Sequence, residues 1–246
     1  MRLAHSSFVL AAVFAFSGLA FADPVVGYGV FSLSGTVVGI PTGLDFYFAT
    51  LGDEAAISSL AMPTGAFSGL TVGTIQTIQD LTAANHVTPG PTSFDFPNWI
   101  QLTKVGIDLD ATSIPIETAI SSCVANTAYA VGAECRPNAG SPVILTQNGN
   151  GVSATLEVNG VAHYGSGTSN PDTPFVGLFN APSTNFATIS DLLVAYQANG
   201  GIPDVAYTGT FTTSSPIPEP VSLALAGLGL LGLSLFRALP KKGRRN

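Results

Sequence analysis

Residues 143–158, VILTQNGNGVSATLEV, carry the clearest structural signal in the chain. Two runs rich in aliphatic and β-branched residues, Val143–Thr146 and Val152–Val158, flank the polar segment Gln147–Gly151. Runs of this composition favour β-strands, and a short Asn/Gly-rich segment between them favours a tight turn. We therefore predict a strand, a turn and a second strand that pair antiparallel.

The same pattern continues on both sides of this hairpin. Asn159-Gly160 predicts a second turn, of type I′, and Val161–Tyr164 then continues the meander. Alternation of apolar and polar residues predicts a strand within Trp99–Asp110, with Asp108 and Asp110 on its polar face. Further strands are predicted at Gly29–Leu33, Leu44–Phe48, Gly65–Gly69 and Tyr207–Thr213.

One amphipathic helix is predicted late in the chain. Thr188 or Ser190 caps it, Asn199–Gly201 ends it, and its apolar residues recur at helical spacing: Ile189, Leu192, Leu193 and Tyr196. A weaker helical turn is expected to start at Gly52–Glu54. Together these patterns predict an all-β fold, an antiparallel β-sandwich or jelly-roll-like domain over residues 23–213 with one short late helix.

Residues 1–22 have the organisation of a secretory signal peptide. Arg2 provides the basic start, Phe8–Phe16 is an uninterrupted apolar core, and Ala20 and Ala22 form a small-x-small cleavage site. A membrane anchor would need about 20 apolar residues, and this run is shorter. We expect cleavage after Ala22, so that Asp23 begins the mature chain.

Residues 214–246 contain three consecutive segments. A rigid run ends in Pro218-Glu219-Pro220, residues 221–239 are almost wholly apolar, and a basic cluster closes the chain: Arg237, Lys241, Lys242, Arg244 and Arg245. As a transmembrane helix, the apolar segment approaches the roughly 30 Å hydrocarbon thickness of a bilayer, and the basic cluster stays cytoplasmic. The preceding domain would then face outward, as the signal peptide also requires.

This tail resembles the PEP-CTERM sorting signal of Gram-negative bacteria, in which a Pro-Glu-Pro box precedes a transmembrane helix and an Arg-rich end. Pro218, Glu219, Pro220 and the closing basic cluster match that motif. The resemblance implies one partner, an exosortase, which is a membrane cysteine transpeptidase that cuts near the box and releases or re-attaches the passenger. The β-rich domain resembles passenger domains found ahead of such tails, which implies export and no particular activity. An ordinary C-terminal membrane anchor is the alternative.

The charges are distributed unevenly along the chain. Charged residues make up only 9% of it, and six of its eight basic residues lie in the two end segments. Residues 23–219, which run from the predicted start of the mature chain through Glu219 of the box, keep Lys104 and Arg136 against fifteen acidic residues, a net charge of −13. Such a surface repels nucleic-acid phosphates, so we expect no nucleic-acid partner. A solvated acidic coat is the simplest interpretation.

Cys123 and Cys135 are the only two cysteines. In an oxidising compartment an even count predicts a disulfide, and closing a loop of this size is worth about 3 kcal/mol. Two free thiols or a metal pair are the alternatives. Zinc needs four ligands, and the mature chain adds only His86 and His163 to the cysteines. We expect no metal and no cofactor.

No catalytic signature is found. There is no Gly-x-Ser-x-Gly elbow, and neither histidine of the mature chain lies in a motif, so each is expected to be a surface or packed residue. Any two of Glu117, Glu134 and Glu157 could supply the carboxylates of a glycosidase. Asp108 and Asp110 could bind Ca²⁺, but the sequence lacks the rest of a calcium loop.

Phe94, Phe96 and Trp99 lie close together in the chain and could stack against a sugar, although core packing is the more common use of such rings. We expect an exported, non-catalytic protein of the cell envelope, cell surface or extracellular matrix. An exosortase at the inner membrane would process it, and exopolysaccharide is a further candidate partner. The alternatives are a carbohydrate-binding module built on the Trp99 region and a secreted polysaccharide hydrolase.

Overall fold

A computed structural model of the chain describes residues 25–40, 43–47, 54–83, 87, 89–90, 92–165, 172–199 and 202–214. The predicted signal peptide, His86, the Pro-Glu-Pro box and the predicted transmembrane helix 221–239 lie outside these residues. Within the described ranges, no helix is both long enough and apolar enough to cross a membrane.

The described part of the chain is mostly β-structure with one α-helix. The elements follow in the order β1 (Gly29–Ile40), β2 (Gly43–Tyr47), β3 (Glu54–Ile57), β4 (Ile75–Ile78), β5 (Phe96–Leu102), β6 (Ile107–Ser113), β7 (Glu134–Cys135), β8 (Ile144–Asn148), β9 (Gly151–Tyr164), β10 (Thr173–Ser183), α1 (Ile189–Asn199) and β11 (Ile202–Thr213). The prediction of an antiparallel β-domain with one short late helix is confirmed.

Eight of the strands close into a barrel. Their order around it is β10-β11-β1-β3-β4-β5-β6-β9, and β9 pairs again with β10, with every pairing antiparallel. Strand β2 pairs with β1, while β8 and then β7 extend the sheet from the other edge of β9. The expected sandwich or jelly roll is therefore wrong, because the β9–β10 pairing joins what would have been two separate sheets.

Strand β9 is continuous through Asn159-Gly160, where a turn was predicted. Gly160 pairs with Ala111 of β6 on one side and with Phe175 of β10 on the other. Neither Asn159 nor Gly160 adopts the positive φ that a type I′ turn requires. A side chain at Gly160 would overlap the Asp110 carbonyl oxygen and the Phe175 ring. The glycine therefore permits close strand approach beside the irregular pairing at Ala111–Ser113.

Three other local predictions are corrected by the structure. Gly65–Phe67 forms a 3-10 turn rather than a strand, with Gly65 at a φ of 57°. Glu54 begins strand β3 rather than a helical turn. Within Trp99–Asp110 the predicted alternation is confirmed for residues 107–110 of β6, but residues 103–106 form a turn, where Gly106 has a φ of 65°. In each case a glycine or a cross-strand partner overrode the local pattern.

The predicted helix is confirmed as α1. Thr188 caps it: its hydroxyl accepts a hydrogen bond from the Asp191 amide at 3.1 Å, and the Asp191 carboxylate accepts one from the Thr188 amide at 3.1 Å. This reciprocal pair satisfies two amides at the start of the helix, and it places a negative charge at the positive end of the helix dipole.

The barrel interior is packed with aromatic rings. Trp99 is completely buried, and its ring centroid lies 5.9 Å from Phe211 and 5.8 Å from Phe179. Phe31 stacks on Phe211 at 4.9 Å. Gly177 makes room for the Phe211 ring, which lies 2.7 Å from where a Cβ would stand. Small residues paired with large rings on neighbouring strands are a common way to fill a narrow barrel.

A second, smaller core lies between α1 and strands β7, β8 and β9, and it contains Cys135, Leu145, Val152, Ile189, Leu192 and Leu193. Gln147, which is 5% exposed, connects its parts. The Gln147 Oε1 accepts from the Ile189 amide at 2.9 Å, and its Nε2 donates to the carbonyls of Ala187 and Gly151 at 2.9 and 3.2 Å. One buried amide thereby ties the start of α1 to the β8–β9 hairpin.

Replacing this amide tests its role. We expect Gln147→Leu to lower the free energy of unfolding by about 3 kcal/mol, because it leaves several buried backbone groups without partners. Urea unfolding followed by the fluorescence of Trp99, the single tryptophan, measures the effect. The matched control is Gln197→Leu on the exposed face of α1, where we expect a change within about 0.5 kcal/mol. Equal stability of the two variants would show that the hydrogen bonds of Gln147 make no net contribution to the free energy of unfolding.

Candidate functional site

An apolar cavity of about 200 Å³ lies at one end of the barrel, between the two cores. The barrel contributes Val37, Phe179 and Tyr207 to the lining, and the rings of Phe179 and Tyr207 form the floor above the buried aromatic cluster. Leu192 and Tyr196 of α1 form one side. The opposite end of the barrel is closed by residues 26–27, whose carbonyls accept hydrogen bonds from Thr173 and Thr213.

The cavity opens beside the loop that leads into β8. Asn138 and Gly140 of this loop line the cavity and are exposed, whereas Leu81 on its inner wall is 1% exposed. The loop itself is held in place by Arg136, which is 7% exposed and whose guanidinium donates to the carbonyls of Ala139 and Ile120 at 2.7 and 2.8 Å. The entrance is therefore built on a fixed backbone segment.

None of the described residues that line the cavity carries a charge. Burial raises the pKa of the Tyr207 hydroxyl far above its usual range, and burial also raises the pKa of Tyr196. Both phenols are therefore neutral at physiological pH. Ser183 also lines the cavity, is 8% exposed, and its Oγ makes no hydrogen bond among the described residues.

The three candidate glutamates do not all come together. Glu117 and Glu157 line one groove of about 730 Å³ on the outer wall of the barrel, whereas Glu134 lies on β7, opposite Thr146. Glu117 and Glu157 are both exposed, and the Glu157 carboxylate accepts a hydrogen bond from the side-chain Nδ2 of Asn159 at 2.9 Å. The general acid of a glycosidase usually lies in an apolar pocket, which this open groove does not provide.

The candidate stacking residues lie mainly inside the barrel. Trp99 is completely buried and its Nε1 donates to the Gln79 carbonyl at 3.0 Å, while Phe96 is 7% exposed. Phe94 is half-buried and packs against the same core. A sugar cannot stack on a tryptophan without an exposed face, so the Trp99 platform does not fit this structure.

Asp108, Asp110 and His163 form a polar cluster across strands β6 and β9. The His163 Nε2 lies 3.0 Å from the Asp110 Oδ2, and its Nδ1 donates to the Gly165 carbonyl at 2.7 Å. The Asp110 Oδ1 accepts from the Asn98 amide at 2.7 Å, where Asn98 has a φ of 54°. Both ring nitrogens and both Asp110 oxygens are thus engaged, and the two Asp110 contacts connect β6 with β9 and with β5. Within the described ranges, no group of three or more His, Cys, Asp or Glu residues could hold a metal ion.

The predicted disulfide between Cys123 and Cys135 is confirmed. It closes a loop beside the second core, and backbone hydrogen bonds from Cys123 to Arg136 and from Arg136 to Ser121 bring its two ends together. The crosslink therefore fixes the loop that immediately precedes the segment at the cavity entrance.

Sequence reasoning did not find the cavity. The sequence predicts the apolar face of α1 with Leu192 and Tyr196, but the cavity residues on β1 and β9 are distant from the helix in the chain. Comparison of the chain with known family models, curated protein sequences and solved structures finds no match.

The polar cluster generates a pH-dependent prediction. Burial raises the pKa of Asp108 from 3.8, and nearby Asp110 raises it further while His163 opposes the change. The folded state therefore binds the Asp108 proton more tightly than the unfolded state does. The stability that this proton contributes is present at low pH and is lost as the pH rises through the pKa of Asp108 in the folded state. We expect Asp108→Asn to raise the Tm at about pH 7 and to have little effect at about pH 3.

Circular dichroism melts at both pH values measure this difference. Asp95→Asn, at an exposed aspartate, is the matched control for the loss of one negative charge. An Asp108→Asn variant that is no more stable than the Asp95→Asn variant at neutral pH would contradict the assignment.

Proposed function

We propose that the chain is an exported, non-catalytic protein of the cell envelope, cell surface or extracellular matrix, sorted and processed through its C-terminal PEP-CTERM signal by an exosortase. The observation that carries this proposal is the order of three segments at the carboxyl end: Pro218-Glu219-Pro220, the apolar segment 221–239 and the basic cluster from Arg237 to Arg245. The signal peptide 1–22 would start export, and the apolar segment would hold the chain transiently in the inner membrane.

The disulfide supports export. Disulfides persist mainly in oxidising compartments, and Cys123 and Cys135 are paired beside the second core. The same bond is a weak indicator alone, but it agrees with the two end segments. The net charge of −13 over residues 23–219 is compatible with a solvated surface outside the cell.

The non-catalytic part of the proposal rests on the arrangement of polar groups. A Ser-His-Asp mechanism needs a histidine nitrogen that is open to a serine hydroxyl, and both nitrogens of His163, the histidine within the described ranges, are engaged by Asp110 and Gly165. The carbohydrate-binding alternative loses its central ring, since Trp99 is buried. Exopolysaccharide remains a proposed partner because sorting would bring the chain to the extracellular matrix, and not because of a sugar site at Trp99.

The sorting signal is tested by changing the box. We expect Pro218→Ala with Glu219→Ala to leave an unprocessed precursor in the membrane fraction, because the exosortase would no longer recognise the chain. Immunoblots of membrane and released fractions, with the amino and carboxyl ends tagged separately, measure processing. Pro216→Ala, in the same rigid run but outside the box, is the control and should be processed normally. Normal processing of the double variant would contradict the proposal.

A further inference from the structure

We propose that the cavity between the barrel and α1 is a binding site for a small, neutral, predominantly apolar molecule that carries at least one hydrogen-bonding group. This goes beyond sorting and export, because it concerns the folded domain and not the tail. The occupant is identified by the size of the cavity, by the absence of charge on its described lining and by the hydroxyl of Ser183.

The size of the cavity limits the ligand. An aliphatic cavity of about 150 Å³ in another protein is large enough to bind benzene. The present cavity of about 200 Å³ admits one ring with a short substituent, or a short branched chain. A whole oligosaccharide or a long acyl chain does not fit in this volume.

The lining selects against charged ligands. Burial of a carboxylate or ammonium without a counter-charge is far more costly than burial of a neutral group. The described lining offers aliphatic side chains such as Leu192 and Val205, the rings of Phe179 and Tyr207, and no charged group. A neutral molecule is therefore strongly favoured over an acid or an amine of the same shape.

Ser183 supplies a polar contact. It faces inward on β10 beside Ala181, it is buried, and its Oγ has no hydrogen-bond partner among the described residues. A buried hydroxyl without a partner is unfavourable, and a ligand hydroxyl or carbonyl that bonded to it would relieve this cost. The ligand therefore carries at least one donor or acceptor.

Access to the site exists without opening the barrel. Asn138 and Gly140 are exposed where the loop before β8 lines the cavity, and Tyr196 of α1 is half-buried there. A small molecule can enter between this loop and the helix. The β9–β10 pairing and the aromatic floor remain intact in that case.

Three probes of matched size distinguish the ligand class. Benzyl alcohol is neutral, benzylammonium is positive and benzoate is negative at neutral pH. The full-length chain in phospholipid nanodiscs is titrated with each probe, and methyl NMR shifts of Leu192 and Val205 report on the cavity, with Val72 and Val131 as exposed references. We expect benzyl alcohol to shift the cavity methyls with a Kd of about 1 mM or lower, and the charged probes to bind at least about tenfold more weakly.

Filling the cavity provides the matched variants. Ala181→Leu places a larger side chain into the cavity, whereas Ala206→Leu adds the same atoms on the exposed face of β11, next to the lining residues Val205 and Tyr207. We expect Ala181→Leu to weaken benzyl alcohol binding at least about tenfold, and Ala206→Leu to leave it unchanged. If Ala181→Leu does not fold, Ala154→Leu fills the same cavity from β9.

The contribution of the hydroxyl is measured with Ser183→Ala. This variant should weaken the binding of benzyl alcohol more than that of toluene, which cannot form the hydrogen bond. The proposal is overturned if benzyl alcohol does not shift the cavity methyls, if charged and neutral probes bind equally, or if a folded filled variant binds as well as the parent chain.

Discussion

The structure depends on the pairing of strand β9 along both of its edges. Over its fourteen residues β9 pairs with β10 on one side, and on the other it pairs with β8 at its start and with β6 at its end. The barrel closes only because β9 is continuous at Gly160, where the Asp110 carbonyl and the Phe175 ring leave no room for a side chain. The start of the same strand, at Val152, belongs to the smaller core, so β9 contributes to both cores.

The second core turns that space into a defined cavity. Gln147 fixes the start of α1 on the β8–β9 hairpin, and the Cys123–Cys135 disulfide holds the preceding loop beside it. As a result, Leu192 and Tyr196 face the barrel interior across a gap lined by Phe179 and Tyr207. The aromatic floor packs in the barrel core and the helix packs in the smaller core, so a ligand would enter a cavity that the fold already provides.

Much of the local structure could be predicted from the sequence, whereas the closure could not. Residues 189–196 and 143–158 have strong periodicity, and both were assigned correctly. Asn159-Gly160 has the composition of a turn, but tertiary pairing with β6 and β10 outweighs that preference. The inward direction of Trp99 and the cavity itself depend on which strands become neighbours, and such long-range pairings leave no local pattern.

The most direct test of this account is a set of NOE contacts at Gly160, measured on isotope-labelled protein. A continuous β9 predicts cross-strand contacts from Gly160 to Ala111 on one side and to Phe175 on the other. If Asn159-Gly160 formed a hairpin turn instead, Gly160 would show contacts across that turn between Val158 and Val161 and none to β6 or β10. That result would contradict the closed barrel and, with it, the cavity beside α1.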